Sequence, residues 1–600
     1  MRLRRSLRAW LVAALLMAAV GAAFAADPTK TLRVAFNAAE TGFDPQAGGD
    51  AYSNYVNRVI FDTLYRYDYL VRPYKIVPNA ATALPQVSAD GKTWTIAVRA
   101  GIYFGDDPVF KGARRELTAA DYVYSWKRVL DPKMRSISQL VFDERVVGAE
   151  AAVSAAKETG KFDYDAPIEG LQAIDRYTIR LKLNHPSYDL LSDLTTAATA
   201  AVAREVIAAY GDASGWAMAN PVGTGPYRLK DWRRGQRIVL EANPGYRDVF
   251  FPDSKDPADR ALVATMRGKK LPQIGRIEIS IIEESNPRLL AFENRELDFV
   301  AVPVDLIRNV LDANDKLKPR FTQQGVQMWR AVQPAITYTY FNMEDPVVGG
   351  YTNERIALRR AVSMAFNTDD EIRIVRQGQG EPATQPIPPN VTGYDPKFNG
   401  HVHFDPAGAK ALLDKFGYVD RDGDGWRDLP DGKPLKLTIA SPPSAIDRQL
   451  DELWKKSMDA VGLHLEFVKQ KWPDLLKMSR AGQLQMWSLG NISNTTEGFG
   501  FLDLLYGPHS GVTNLARFKL PEYDRLYDQA RQLPDSPERT RLFQRMSQLV
   551  TAYAPWKLDA FRYETVVAYP WVLGYKHNVF DQYPWLYLDL DVARRNAAGK

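Results

Sequence analysis

Apolar and polar positions alternate in Thr31-Leu-Arg-Val-Ala-Phe-Asn37, as in a strand with one buried face, and Trp94, Ile96 and Val98 repeat that period after the turn Ala89-Asp90-Gly91. The period then changes. Tyr122, Val123, Trp126, Val129 and Leu130 form a stripe at helical spacing and predict a helix over 119–130. Thr118 and Asp121 stand at capping-box spacing before it, and Asp131-Pro132 stops it. Leu358, Ala361, Val362 and Ala365 predict a second helix over 354–366, and Thr368 with Glu371 predicts the capped start of the next. Further on, a helix is expected over 406–416 and a strand over Leu435–Ala440. Residues 250–270 are charged and proline-bearing and read as a surface excursion, while residues 377–396 hold five prolines and three glycines and are expected to be non-regular. Strands and helices mix without a repeat, so the fold class is α/β or mixed α+β.

The N-terminus follows another pattern. Arg2, Arg4, Arg5 and Arg8 precede an apolar run from Ala9 to Val20, and Ala23-Phe24-Ala25 offers a small-x-small cleavage site. The run is shorter than the ~20 apolar residues of a membrane span, so residues 1–25 are expected to be a cleaved signal peptide. Arg4-Arg5 suggests twin-arginine export, but Leu7 and Arg8 fit that pattern loosely, and ordinary export with cleavage before Ala26 is favoured. Without the four arginines the formal charge falls from +5 to +1, which removes any overall electrostatic case for nucleic acid or an anionic membrane.

The 600 residues are 45% hydrophobic and 25% charged, as in an ordinary globular protein, and the length allows several units at ~150 residues each. There is no cysteine, which excludes disulfides, a thiol nucleophile, thiolate metal sites and lipid attachment at cysteine. Stability must then come from a sizeable core, and the mature protein is expected free in an extracytoplasmic space, the periplasm.

Catalytic patterns are scarce. Gly91-Lys92-Thr93 resembles the end of a phosphate loop, but Gln86 occupies the first glycine position; Ser154 and Lys157 have serine–lysine spacing on what reads as a solvated helix face. No Gly-x-Ser-x-Gly and no His-Glu-x-x-His occurs. Of six histidines only His401 and His403 are neighbours, and without a third ligand they read as a surface pair. One metal pattern stands out. Asp420, Asp422 and Asp424 occupy positions one, three and five of a calcium loop, Gly425 position six, and Asp428 and Asp431 positions nine and twelve. Aspartate replaces the usual glutamate at twelve and a strand follows instead of a helix, so a structural calcium ion competes here with a plain acidic turn.

Several segments, in order, resemble the dipeptide/oligopeptide-binding family (family 5) of extracellular solute-binding proteins of ABC transporters. They are Ser88–Arg99 with Gly101-Ile-Tyr-Phe-Gly105 and Leu117–Ser125; Pro221-Val-Gly-Thr-Gly-Pro-Tyr227 with Trp232 and Asn243-Pro-Gly-Tyr246; Phe341-Asn-Met343 with Ile356–Phe366; and Gly378, Glu381-Pro-Ala383 and Ile387-Pro-Pro389. The resemblance runs from about residue 31 to about 580.

It implies a two-lobe periplasmic-binding-protein clamshell of class II type with an extra sub-domain. Lobe I would comprise 27–75, 215–335 and 554–600, the sub-domain 76–214, and lobe II 336–553, with crossings near Tyr338–Asn342 and Ala554–Asp559. It further implies a non-enzymatic monomer that captures a peptide or peptide-like solute between the lobes and delivers it to inner-membrane permease subunits. The family's peptide binders pair a lobe II carboxylate with the ligand's α-ammonium. Here the corresponding loop, Gln485–Glu497, puts Asn491 at that place, with Trp487 as its aromatic flank and Glu497 as a substitute carboxylate. Glu40, Phe43, Tyr338 and Tyr340 complete the expected ligand-binding set. Asparagine carries no charge, so non-peptide solutes (haem, glutathione, opines, oligosaccharides, metal chelates) stay open, as do a secreted hydrolase and an envelope chaperone.

Overall fold

In the computed structural model, residues 26–599 are described apart from 49, 494 and 582; the expected signal peptide, residues 1–25, lies outside the described residues. The alternating opening segment becomes the strand Asp27–Phe36, with Leu32, Val34 and Phe36 buried. It pairs in parallel with Ile274–Ile281, and the sheet continues through Arg237–Ala242 to Tyr227–Arg233 in antiparallel order. The core behind this sheet also takes Val566, Trp571, Trp585 and Leu590 from the C-terminal part of the chain. These form lobe I.

A second four-stranded sheet, ordered Gln86–Val87, Thr93–Ala97, Thr178–Lys182, Leu171–Asp175, belongs to the sub-domain. The helix predicted over 119–130 is found at Ala119–Leu130 with its capping box formed. It buries Tyr122, Trp126, Val129 and Leu130 among Trp94, Ile96, Ile179 and Leu181, and the Trp126 indole donates to the Thr199 carbonyl at 2.8 Å. A stripe at helical period has met a face at strand period.

Lobe II is built on a seven-stranded sheet that also contains the connection to lobe I. Its order is Phe299–Ala301, Trp556–Ala568, Gln327–Phe341, Met486–Ile492, Lys436–Ser441, His464–Lys469, with Gly380–Pro382 added against Trp556–Ala568. The helices Asn353–Ala365, Pro406–Lys415 and Ala445–Asp459 pack Leu358, Leu413 and Trp454 around Leu437 and Leu465. Two long antiparallel strands, Gln327–Phe341 and Trp556–Ala568, run from lobe I into lobe II and form the crossing. Their ladder is interrupted between Val332 and Ile336, where Pro334 offers no N–H, and again after Thr337.

Two local expectations differ. The turn after Asn353–Ala365 is capped by Asn367, whose side chain accepts from Asp370 N–H, and Glu371–Val375 is a π-helix; Thr368 does not cap. Thr368 is already the first helical residue, so the capping place falls one residue earlier on Asn367, which has the stronger N-cap side chain. Residues 250–270 are not wholly irregular: they contain the helix Arg260–Met266, because Val263 and Met266 are buried beneath Tyr69 and Leu586.

Candidate functional site

The two lobes face each other across the crossing strands, and in this structure the cleft between them is closed. Tyr67, on the lobe I strand Tyr65–Tyr67, accepts a hydrogen bond from the Thr496 N–H of lobe II at 2.8 Å. Its ring stacks on Phe580 at 5.4 Å, and Tyr67, Tyr74, Val579 and Phe580 pack against the lobe II core. At the rim, Glu144 of the sub-domain lies 3.5 Å from Arg531 and 3.8 Å from His509 of lobe II. His509 is held from its own side by Asp503 at 2.6 Å. Hydrogen bonding to Asp503 and then Glu144 pushes the His509 pKa up to about 9, while hydrogen bonding from His509 and the charge of Arg531 pull Glu144 down to about 2.

Behind Tyr67, a cavity of about 100 Å³ is lined by Arg58, Asp62, Arg66, Tyr67, Phe580 and Asp581 among others. Tyr55 and Tyr583 pack 4.7 Å apart beside it, and Glu564, bonded to His577 at 3.0 Å, adds a carboxylate near both phenols. The cavity has aromatic walls and a few polar groups, but at that size it holds a few waters and not a peptide-sized solute.

The expected site residues are not all brought together. Trp487 is 1% exposed, in register with Tyr340 and packed near Trp472, so it belongs to the lobe II core. Tyr340 is fully buried with its hydroxyl bonded to Ser479 at 2.6 Å, and Tyr338 stacks on Trp556 at 3.7 Å. Both crossing-strand tyrosines are thereby removed from the cleft. Phe43 is buried against Trp232, and Glu40 accepts from the Trp232 indole at 2.5 Å and from Gly235 N–H at 3.0 Å. Those lobe I partners, remote in sequence, occupy the side chains expected to meet a ligand.

Glu497 lies near the lobe contact but faces Arg539 at 3.0 Å, and burial raises its pKa to about 7. Asn491 sits half-buried at the open end of the strand Met486–Ile492, in register with Ile336, with no side-chain hydrogen bond to any described residue. The preceding residue, Gly490, points to the opposite face, where Arg562 stands. Tyr67, Thr496 and Arg562 were not anticipated. Tyr67 and Thr496 carry no motif, and Arg562 has no signal except its place on a crossing strand.

The acidic loop differs from the calcium pattern. Asp420, Asp422 and Asp428 gather oxygens within 4.8 Å of one another. Asp431 turns to Lys433 at 2.7 Å, and Asp424 accepts from Trp426 N–H, so neither joins them. Asp420 already accepts from Gly423 and Gly425 N–H, and Asp428 from Arg421 N–H. Three carboxylates fit a cation only where carbonyls and water complete the six to eight ligands that calcium takes. His401 and His403 are adjacent, with rings 5.5 Å apart; His401 is half-buried rather than at the surface, and burial pulls its pKa down to about 4.

No helix among the described residues is long and apolar enough to cross a membrane. The chain is 27% identical over 573 residues to di/tripeptide-binding protein 2 of Pseudomonas aeruginosa, covering 93% of each chain. It is 25% identical to heme-binding protein A of Haemophilus influenzae, covering 82% of this chain and 81% of that one. Among solved structures it superposes on the periplasmic binding protein DppA of Helicobacter pylori in complex with the peptide STSA (TM-score 0.70, 22% identity, 94% of this chain and 98% of that one). It also superposes on NikA of Brucella suis in complex with Fe(III)-EDTA (TM-score 0.72, 19% identity, 94% and 100%). These likenesses carry the two-lobe clamshell fold. The sequence profile of the bacterial extracellular solute-binding proteins, family 5, matches residues 75–511, and the chain belongs to that family.

Proposed function

We propose that this chain is the periplasmic solute receptor of an ABC importer, which encloses a peptide or peptide-like solute between its lobes and presents the closed form to the permease. The observation that carries this reading is the closed cleft: two lobes joined by two crossing strands and held together by Tyr67 and Thr496. Relatives named for di- and tripeptides support the peptide class, and a relative named for heme keeps the solute class wider. A receptor needs affinity and reversible closure rather than chemistry. Solute contacts with both lobes favour the closed state by their difference in affinity for the two states. A micromolar complex needs only about −8 kcal/mol, which a modest buried solute supplies. On this reading the protein is a non-enzymatic monomer, exported through a cleaved signal peptide and not lipid-anchored. Calcium enters only as a structural ion on Asp420, Asp422 and Asp428.

Native mass spectrometry of the protein from its periplasmic fraction tests the proposal. A bound species of peptide mass, released intact on denaturation, is the expected result; a turned-over product in its place would mean an enzyme.

A further inference from the structure

Arg562 is a cation with no counter-charge of its own. It lies on the strand Trp556–Ala568 opposite residues 333–335, where the ladder to Gln327–Phe341 is interrupted, and its backbone pairs on the other side with Gly380. Its Nε is enclosed with no hydrogen-bond partner, and its guanidinium makes no ion pair or hydrogen bond with any described residue. The charges that act on it are already committed: Arg376 to Glu371 at 2.6 Å, and Glu564 to His577 at 3.0 Å. Burial and then Arg376 lower its pKa to about 10, which leaves it charged at neutral pH. The residue is half-buried with its Nε shut off from water, so part of its hydration is lost and no described partner replaces it.

The space above it is kept clear. A Cβ on the exposed Gly490 would fall 3.3 Å from Arg562 Nη1, so any side chain at that position would stand against the guanidinium. Thr337, in register with Gly490, has a buried hydroxyl that also lacks a partner, and register places it on the same face. A planar cation, a free hydroxyl and a bare backbone therefore meet at the crossing, at the open end of Met486–Ile492. The fork of a guanidinium matches a carboxylate, which it binds through two parallel bonds.

We infer that Arg562 is the anion-receiving group of the cleft, taking a carboxylate of the solute with the Thr337 hydroxyl as a further donor. This rests on the cleft being the solute site. The solute class is thereby narrowed to carboxylate-bearing molecules, a peptide's C-terminus or an acidic side chain.

The test uses the whole ¹⁵N-labelled mature protein, with the Arg562 Nε–H resonance assigned by its loss in Arg562→Gln. Acetate, in place of chloride, is expected to shift that resonance. By calorimetry, trialanine is expected to bind at least tenfold more tightly than its C-terminal amide, and Arg562→Gln and Gly490→Asp should reduce this ratio to below twofold. Gly490 does not have a left-handed φ, so aspartate is sterically allowed there, and circular dichroism verifies the fold of both variants. Tight binding of Ala-Glu-Ala amide but not of trialanine would identify a side-chain carboxylate as the source. A shift with acetate but no binding of any peptide would uphold the anion site and defeat the peptide reading. Peptides that bind equally as acid and amide would uphold the peptide reading and overturn the role of Arg562. An Arg562 resonance unmoved by every probe overturns it as well.

Discussion

The phenolic oxygen of Tyr67 accepts the backbone N–H of Thr496 at 2.8 Å, a bond between residues of different lobes separated by 429 positions in the chain. Tyr67 also packs against Phe580, so replacing it by phenylalanine keeps the ring contact and removes only the hydroxyl, with its bond to the Thr496 N–H and its 3.4 Å contact with the Thr496 hydroxyl. A neutral hydrogen bond of this kind contributes about 1 kcal/mol net, which corresponds to about fivefold in the closed-to-open ratio. Tyr67→Phe should therefore lower the closed-to-open ratio about fivefold, enlarging the solution radius without solute and weakening solute binding by no more than that factor. Small-angle scattering with calorimetry measures both; an unchanged radius together with an unchanged affinity would show that this bond does not hold the closed state.

The rim contact makes closure pH-dependent. His509 has a folded pKa raised to about 9 from an ordinary 6.5, first by Asp503 of its own lobe and then by Glu144 across the cleft, so the cross-lobe part is present while the imidazole is charged and lost as pH rises through 9. Glu144 has a folded pKa lowered to about 2 from 4.5, so its contribution is complete above pH 4.5 and lost as pH falls toward 2. Asp503, Glu144 and Arg531 are the charges involved, with Tyr506 and Tyr527 beside them. The closed fraction should be highest above pH 4.5 while His509 keeps its charge in both states, and fall as pH rises toward 9, since only the Glu144 part of the His509 shift is lost on opening; His509→Gln should flatten the alkaline limb. Scattering profiles across pH distinguish this from a pH-independent closure.

Trp487 and Asn491 lie four residues apart on one strand and should respond oppositely to truncation. Trp487→Ala empties a core position and is expected to cost about 3–5 kcal/mol of stability. Asn491→Ala removes a half-buried side chain with no hydrogen-bond partner among the described residues and should stay within about 0.5 kcal/mol. Urea denaturation of the two variants compares them directly. Comparable losses would put Asn491 in the structural core.

The bonds of the acidic loop are local, and none among the described residues reaches Tyr67, Thr496, Glu144 or His509. Calcium at millimolar concentration should raise the thermal midpoint slightly, and a chelator should leave solute affinity unchanged. A chelator that abolished binding would give Asp420, Asp422 and Asp428 a role in the cleft.

Elements with a strong period were readable from sequence. The helix Ala119–Leu130 carries its stripe, its box and its stop between Thr118 and Pro132, so local chemistry specifies it. The site was less legible, for two physical reasons. Strand side chains alternate, so a one-residue uncertainty around Asn491 decides whether the position faces Arg562, and Gly490 does. The partners that withdraw Glu40 and Phe43 from the cleft, Trp232 and Gly235, lie nearly two hundred residues downstream. The free guanidinium of Arg562 was hidden for the converse reason: what distinguishes it is the lack of a neighbour, which no local pattern encodes.

The gap in the crossing ladder around Pro334 bears on how such a molecule could open. Ser493 N–H bonds the Pro334 carbonyl at 2.9 Å, yet residues 333–335 exchange no ladder bond with Trp556–Ala568. Elsewhere, bending two paired strands would stretch hydrogen bonds on one edge. Here there are none to stretch, so rotation of one lobe against the other concentrates in three residues as a soft joint between two stiff ribbons. Arg562 sits opposite that joint, so a solute held by its guanidinium would be gripped near the axis of rotation, where the lever arm is shortest and the anchor moves least as the jaws part.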